Sequence, residues 1–132
     1  MLGKRRLAHA EATFQMGVVR MLKATGFFVF AISNGWGKMT VPQAARAKME
    51  GIMPGVSDLV ILLPKGKVCF VEIKNPNGKG VQSPAQKIFE DKVKALGHTY
   101  VIWSDFKQVE DFINSKGACA ESAEDLKVGG TD

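Results

Sequence analysis

Asp58-Leu59-Val60-Ile61-Leu62-Leu63-Pro64-Lys65-Gly66-Lys67-Val68-Cys69-Phe70-Val71-Glu72-Ile73-Lys74 is the stretch whose reading decides the fold. Two apolar runs rich in β-branched residues flank a Pro- and Gly-containing return, so residues 58–63 and 68–74 read as the strands of an antiparallel hairpin. The second run is apolar at both parities through Val68, Cys69, Phe70 and Val71, which predicts a central strand covered on both faces. Glu72 and Lys74 interrupt that pattern at the strand end, two residues apart and therefore on one face. Asp58 stands where the first strand begins. In a hairpin the start of one strand lies beside the end of the other, which makes Asp58 and Glu72 neighbours across the sheet.

Charge placed there is costly unless a counter-charge or a cation offsets it. Two adjacent carboxylates repel unless one is protonated or an ion sits between them. Oxygen ligands with room for water suit Mg²⁺ or Mn²⁺ better than zinc. Such an ion lowers the pKa of a bound water and neutralises charge developing on a phosphoryl group, and Lys74 would orient the water or support that charge. Spacing alone also allows a Glu72–Lys74 surface pair, with Asp58 as a turn residue.

Working outward, Leu7, Phe14, Val18 and Met21 recur at helical spacing up to about Thr25, and Gly26 stops the helix. Phe27–Ile32 reads as a strand. Residues 34–57 form a long basic connection, with a short helix around Gln43–Met49. After the Gly- and Asn-rich loop Asn75–Gln82, Ser83-Pro84-Ala85-Gln86 has the cap, proline and glutamine of a helix start. That helix runs to about Leu96, with Phe89, Val93 and Leu96 on one face and Gly97 as its stop. Tyr100–Trp103 is a fourth strand, and Asp105 with Gln108 caps a last helix through Val109, Phe112 and Ile113. Three sequential strands and a fourth reached through a helix predict an α/β fold with a mixed sheet, three strands antiparallel and the fourth parallel, flanked by helices.

Glu11 lies on the apolar stripe of the first helix, one turn before Gln15, where a carboxylate needs a partner; a metal-bound water is one, and the helix dipole is another. Gln86 extends the stripe of its helix and also fills the glutamine position of a capping box. His9 reads as solvated and His98 as structural, since neither has a nucleophilic-triad partner. Trp36, between Gly35 and Gly37, would stack on a base or pack on its own domain. Lys38, Lys65, Lys67 and Lys79 are candidate phosphate contacts, whereas Lys87, Lys92 and Lys94 read as a solvated helix face.

The net charge is +5, but residues 117–132 hold four of the thirteen acids and one of the eighteen bases, leaving +8 on residues 1–116. That surplus favours a polyanionic partner. Residues 1–116 are expected to form one domain and 117–132 an acidic, frayed tail. Cys69 in a strand and Cys119 in the tail read as free thiols of a reducing cytoplasm, and with two separated histidines they make no zinc site. No apolar run approaches a membrane span and the basic N-terminus is no secretory signal, so no membrane partner is expected. Nothing calls for an organic cofactor.

Gly55-Val56-Ser57-Asp58, Val71-Glu72-Ile73-Lys74 and Ser83-Pro84-Ala85-Gln86, with Glu11 upstream, resemble the virus-type replication-repair nuclease (VRR-NUC) family of the PD-(D/E)XK superfamily. The likeness spans roughly residues 7–104. It implies a restriction-endonuclease-like core and a Mg²⁺- or Mn²⁺-dependent endonuclease acting on DNA. It further implies that Asp58, Glu72 and the backbone carbonyl of Ile73 bind the metal, that Glu11 acts through water or a second metal, that Lys74 is the catalytic lysine and that Gln86 is an auxiliary polar group. Stand-alone members imply cutting of branched DNA such as four-way junctions or flaps during phage or bacterial replication and repair, and a homodimer matches a two-fold junction. This chain departs from the family at Ser57, where proline is usual; proline would stiffen the strand start without contributing a ligand. The competing reading is a basic nucleic-acid-binding module without catalysis.

Overall fold

The computed structural model describes residues 2–33, 39–76 and 81–117, with the side chains of the first helix described from Ala10 onward. The expectations for Lys38, Lys79, Trp36, the side chain of His9, Cys119 and the acidic tail lie outside the described residues. Nine elements are present in them: α1 (Leu2–Ala24), β1 (Phe28–Ala31), α2 (Val41–Met49), β2 (Leu59–Leu62), a 3₁₀ turn (Pro64–Gly66), β3 (Val68–Ile73), α3 (Pro84–Ala95), β4 (Thr99–Trp103) and α4 (Phe106–Asn114).

The sheet order is β1-β2-β3-β4. β1 pairs antiparallel with β2, β2 antiparallel with β3, and β3 parallel with β4. This is the mixed sheet expected, in a restriction-endonuclease-like α/β fold. The hairpin register sets Leu59 opposite Val71, and one step further along that register Asp58 faces Glu72. Lys65 adopts φ 65° and Gly66 φ 76° in the return between the strands.

α1 lays Phe14, Val18 and Leu22 on one sheet face, where they meet Val29, Leu59, Ile61, Cys69, Val71, Ile73 and Trp103, with Val109 and Phe112 of α4 closing the cluster. Their spacing of four puts all three α1 residues on a single stripe. Leu22 is the core member that the stripe read from the sequence omits, while Met21 is only partly buried. The helix ends through a Schellman-type pair, Phe27 N–H to Leu22 C=O and Gly26 N–H to Lys23 C=O, which needs the left-handed backbone of Gly26 at φ 91°.

α3 covers the opposite face over β3 and β4. Phe89 packs edge-on against Phe70 and Tyr100, with ring centroids 5.2 and 6.1 Å apart. Leu96, expected on the same stripe, is 76% exposed. It is the C-cap residue, so the helix has already turned away from the sheet there. Glu90 is buried instead, held by Lys94 Nζ at 2.7 Å and by Gln82 Nε2 at 2.9 Å. His98 is structural as expected, its Nδ1 accepting the Val68 N–H at 3.2 Å. Among the described residues no helix is long and apolar enough to cross a membrane.

Candidate active site

Four elements converge at one end of the sheet: the segment leading into β2 carries Asp58, the end of β3 carries Glu72 and Lys74, the first turn of α3 carries Gln86, and α1 carries Glu11. Asp58 is tied to its neighbour strand through Oδ2, which accepts the Ile73 N–H at 2.8 Å. The Lys74 N–H points the other way, to the Trp103 C=O at 2.9 Å. In a trans peptide the C=O is opposed to the N–H, so the Ile73 carbonyl is directed toward the Asp58 side of β3.

Glu72 is 4% exposed. Its Oε1 accepts from Gln86 Nε2 at 2.7 Å and lies 3.8 Å from Lys74 Nζ. Its Oε2 is buried without a hydrogen-bond partner. An unpartnered carboxylate oxygen in the interior is expensive. Burial, reinforced by the charge of Asp58 and only partly offset by Lys74, pushes the Glu72 carboxyl up to about 8. Asp58 is raised as well by burial, with the Ile73 N–H and Lys74 opposing the shift. Both shifts run toward the protonated form, as two buried acids side by side require. Glu11, half-buried, is raised by burial and then by Asp58, with Lys74 opposing; it senses both groups electrostatically.

Gln86 fills both roles that its sequence position allows. Its Oε1 accepts the Ser83 N–H at 2.9 Å and the Lys74 ammonium at 3.1 Å, and its own N–H is taken by Ser83 Oγ at 3.2 Å. One side chain therefore closes the α3 capping box while bridging Lys74 to Glu72. Ser57, the departure from the proline pattern, is fully buried, with its hydroxyl donating to the Leu59 C=O at 3.1 Å.

Lys65 and Lys67 are not brought to this cluster. They occupy the return at the other end of the hairpin, about five strand residues, or roughly 16 Å, from Glu72. Gly55 has a positional role that the sequence reading missed. At φ +81° it presses against the start of α3, and a Cβ there would stand 2.4 Å from the Ala85 carbonyl carbon and oxygen and 2.7 Å from the Gln86 nitrogen. The approach to Asp58 and the helix bearing Gln86 are locked together through that contact. A second unanticipated feature is the Gln82 amide, which donates to Glu90 at 2.9 Å and reaches the Tyr100 hydroxyl at 3.5 Å, anchoring the segment just before α3.

Among the described residues no three His, Cys, Asp or Glu side chains group to hold a metal ion. Any ion here would draw on two carboxylates, a main-chain carbonyl and solvent, a donor set suited to a hard cation and unlike a closed zinc site.

An α/β fold of the restriction-endonuclease type, with two adjacent acids beside a lysine at the end of its sheet, defines the class of architecture. More particularly, the fold is similar to that of a solved structure described as a VRR_NUC domain, with 24% sequence identity, a TM-score of 0.54, and coverage of 80% of this chain and 95% of that one. No family model matches the chain, and no curated protein matches it.

Proposed function

We propose that this chain is a Mg²⁺- or Mn²⁺-dependent nuclease that hydrolyses DNA phosphodiester bonds. The observation that carries the reading is the buried, unpartnered Glu72 Oε2 beside Asp58, an arrangement that a divalent cation would satisfy. Asp58, Glu72 and the Ile73 carbonyl would hold the ion directly, and Glu11 through water. When bound, the ion supplies positive charge against which a phosphoryl group develops its own negative charge.

The chain's own residues do the rest. Gln86 fixes the Lys74 ammonium at 3.1 Å, leaving its remaining N–H donors to orient an attacking water and to support charge on the phosphoryl oxygens. Lys74 also lowers the cost of ionising Glu72 and Asp58. Water attacks phosphorus in line and an ester oxygen leaves, giving a strand cut. The basic surplus on residues 1–116 draws the phosphate backbone toward the site.

The preferred substrate is branched DNA, such as a four-way junction or a flap met in replication and repair, and the active species is a homodimer placing two sites on two equivalent strands. Incubating the protein with labelled duplex, flap and four-way junction in Mg²⁺ or Mn²⁺ tests this. The expected result is cleavage of a branched form in preference to duplex, abolished by EDTA and by Asp58→Asn. A protein that binds all three and nicks none in either metal is a binding module instead.

A further inference from the structure

Beside the catalytic cluster, at the same end of the sheet, a cleft of about 570 Å³ opens between α1 and the start of α4; Ala10, Phe14, Pro76 and Phe106 line it, with Thr13 and Ser104 supplying hydroxyls. Its walls continue directly from the candidate active site on three segments. Ala10 adjoins Glu11, Pro76 follows Lys74 by two residues, and Ser104 follows Trp103, whose carbonyl accepts the Lys74 N–H. These three segments join the two places, so a strand with its phosphate beside Lys74 can extend toward this cleft.

The chemistry of the wall selects which part of a nucleotide enters. Among the described residues no lysine or arginine lines it, and Asp105, which does, would repel a phosphate. What remains is an apolar slot with an aromatic ring on one side. Phe106 is 43% exposed although it begins a helix packed on the core. It is seated deliberately: it meets Phe14 edge-on at 4.9 Å and lies across α1 at Gly17, where a Cβ would come within 2.7 Å of its Cζ. Glycine is unfavourable inside a helix, and at position 17 it is what allows the ring to settle there while the residue stays 43% exposed.

We infer that Phe106 is a stacking platform for a nucleobase adjacent to the scissile phosphate, unstacked from its own strand and received in this cleft. The inference rests on the nuclease reading above. It assigns the ligand as an unpaired base, read by its π-face rather than by its hydrogen-bonding edge and so with little sequence preference. It also accounts for a preference for branched DNA, in which unpaired or weakly stacked bases flank the junction.

The test uses Glu72→Gln protein, which holds DNA uncut, and branched substrates carrying the fluorescent base 2-aminopurine at successive positions around the cleavage site. One position should be quenched on binding, and adding Phe106→Leu should abolish that quenching and weaken binding by about 5- to 100-fold, while Phe106→Tyr keeps both. Leucine still covers Gly17, and a thermal melt matching that of the parent shows that the fold is retained. An abasic nucleotide at the quenched position should weaken binding by the parent but not by the Phe106→Leu protein. DNA bound with no position quenched, or with the same quenching in the leucine variant, overturns the platform and leaves the nuclease reading standing. Sedimentation showing that Phe106→Leu disrupts a dimer while quenching persists would assign the cleft to a second copy and also overturn it. If the protein neither binds nor cuts any DNA, both readings fall.

Discussion

Replacing Glu72 by glutamine should change how the stability of the metal-free protein depends on pH. The folded state holds the Glu72 carboxyl at about 8 against an ordinary value of 4.5, so between those values the folded chain binds a proton that the unfolded chain has lost. Stability from this group is fully present below about pH 4.5 and is lost as pH rises toward 8, because the slope follows the difference in protons bound. One proton is worth at most about 1.4 kcal/mol per pH unit, so from pH 5 to 8 wild type should lose up to about 4 kcal/mol. That is a large share of a typical total of about 5–15 kcal/mol. Asp58, raised for the same reason of burial, adds in the same direction. Glutamine keeps an oxygen to accept from Gln86 Nε2 and cannot ionise, so Glu72→Gln should flatten most of the slope. The assay is urea denaturation in EDTA at unit steps from pH 5 to 9, read as the midpoint at constant m-value. Adding Mg²⁺ at pH 8 should restore wild type and leave the variant unmoved, since a ligand stabilises only the state that binds it. Parallel pH profiles for the two proteins, or a wild-type profile flat between pH 5 and 8, would refute the reasoning.

Lys74→Ala should lower the cleavage rate by roughly 10²–10³-fold with little change in KM, since its ammonium acts where charge develops; steady-state kinetics on the best substrate measure this. Gly55→Ala should destabilise the protein by about 1–3 kcal/mol, because it imposes a strained φ and drives a methyl group into the Ala85 carbonyl; urea denaturation reads the loss. Gln86→Ala should cost about 1–2 kcal/mol of stability, through loss of its cap bond to the Ser83 N–H and of its bridge between Lys74 and Glu72. It should also reduce cleavage, an effect that a purely structural cap would not produce in protein held well below its melting temperature.

The hairpin 58–74 made most of this architecture legible, because two apolar runs joined by a short return determine register, and register alone puts Asp58 opposite Glu72. The capping boxes at Ser83 and Asp105 did the same for α3 and α4, since cap chemistry is local to four residues. What stayed hidden was tertiary. A helical stripe shows a face but not where the helix leaves the sheet, which is why Leu96 reads as core yet is exposed. Glu90 is buried through partners that the stripe does not show, among them Gln82, eight residues earlier and just ahead of the helix. Lys65 and Lys67 are adjacent in sequence to the strand that bears the site yet sit at its far end, a consequence of strand length and direction. Gly55 reads from sequence only as a loop breaker and part of a motif; its close approach to Ala85 depends on the packing of a helix thirty residues further on. Glu11 illustrates the opposite case: a carboxylate on an apolar stripe is a visible anomaly, and the structure does set it where Asp58 and Lys74 influence it.

The central claim is that the Asp58–Glu72 pair is a site for a hard divalent cation. Titrating Mn²⁺ into the protein by calorimetry at pH 7, in buffers of differing ionisation enthalpy, tests it most directly without relying on any substrate. Saturable binding is expected, with release of about one proton because burial pushes the Glu72 carboxyl up to about 8, and with loss of that binding in both Asp58→Asn and Glu72→Gln. Binding that releases no proton and survives both substitutions would contradict it.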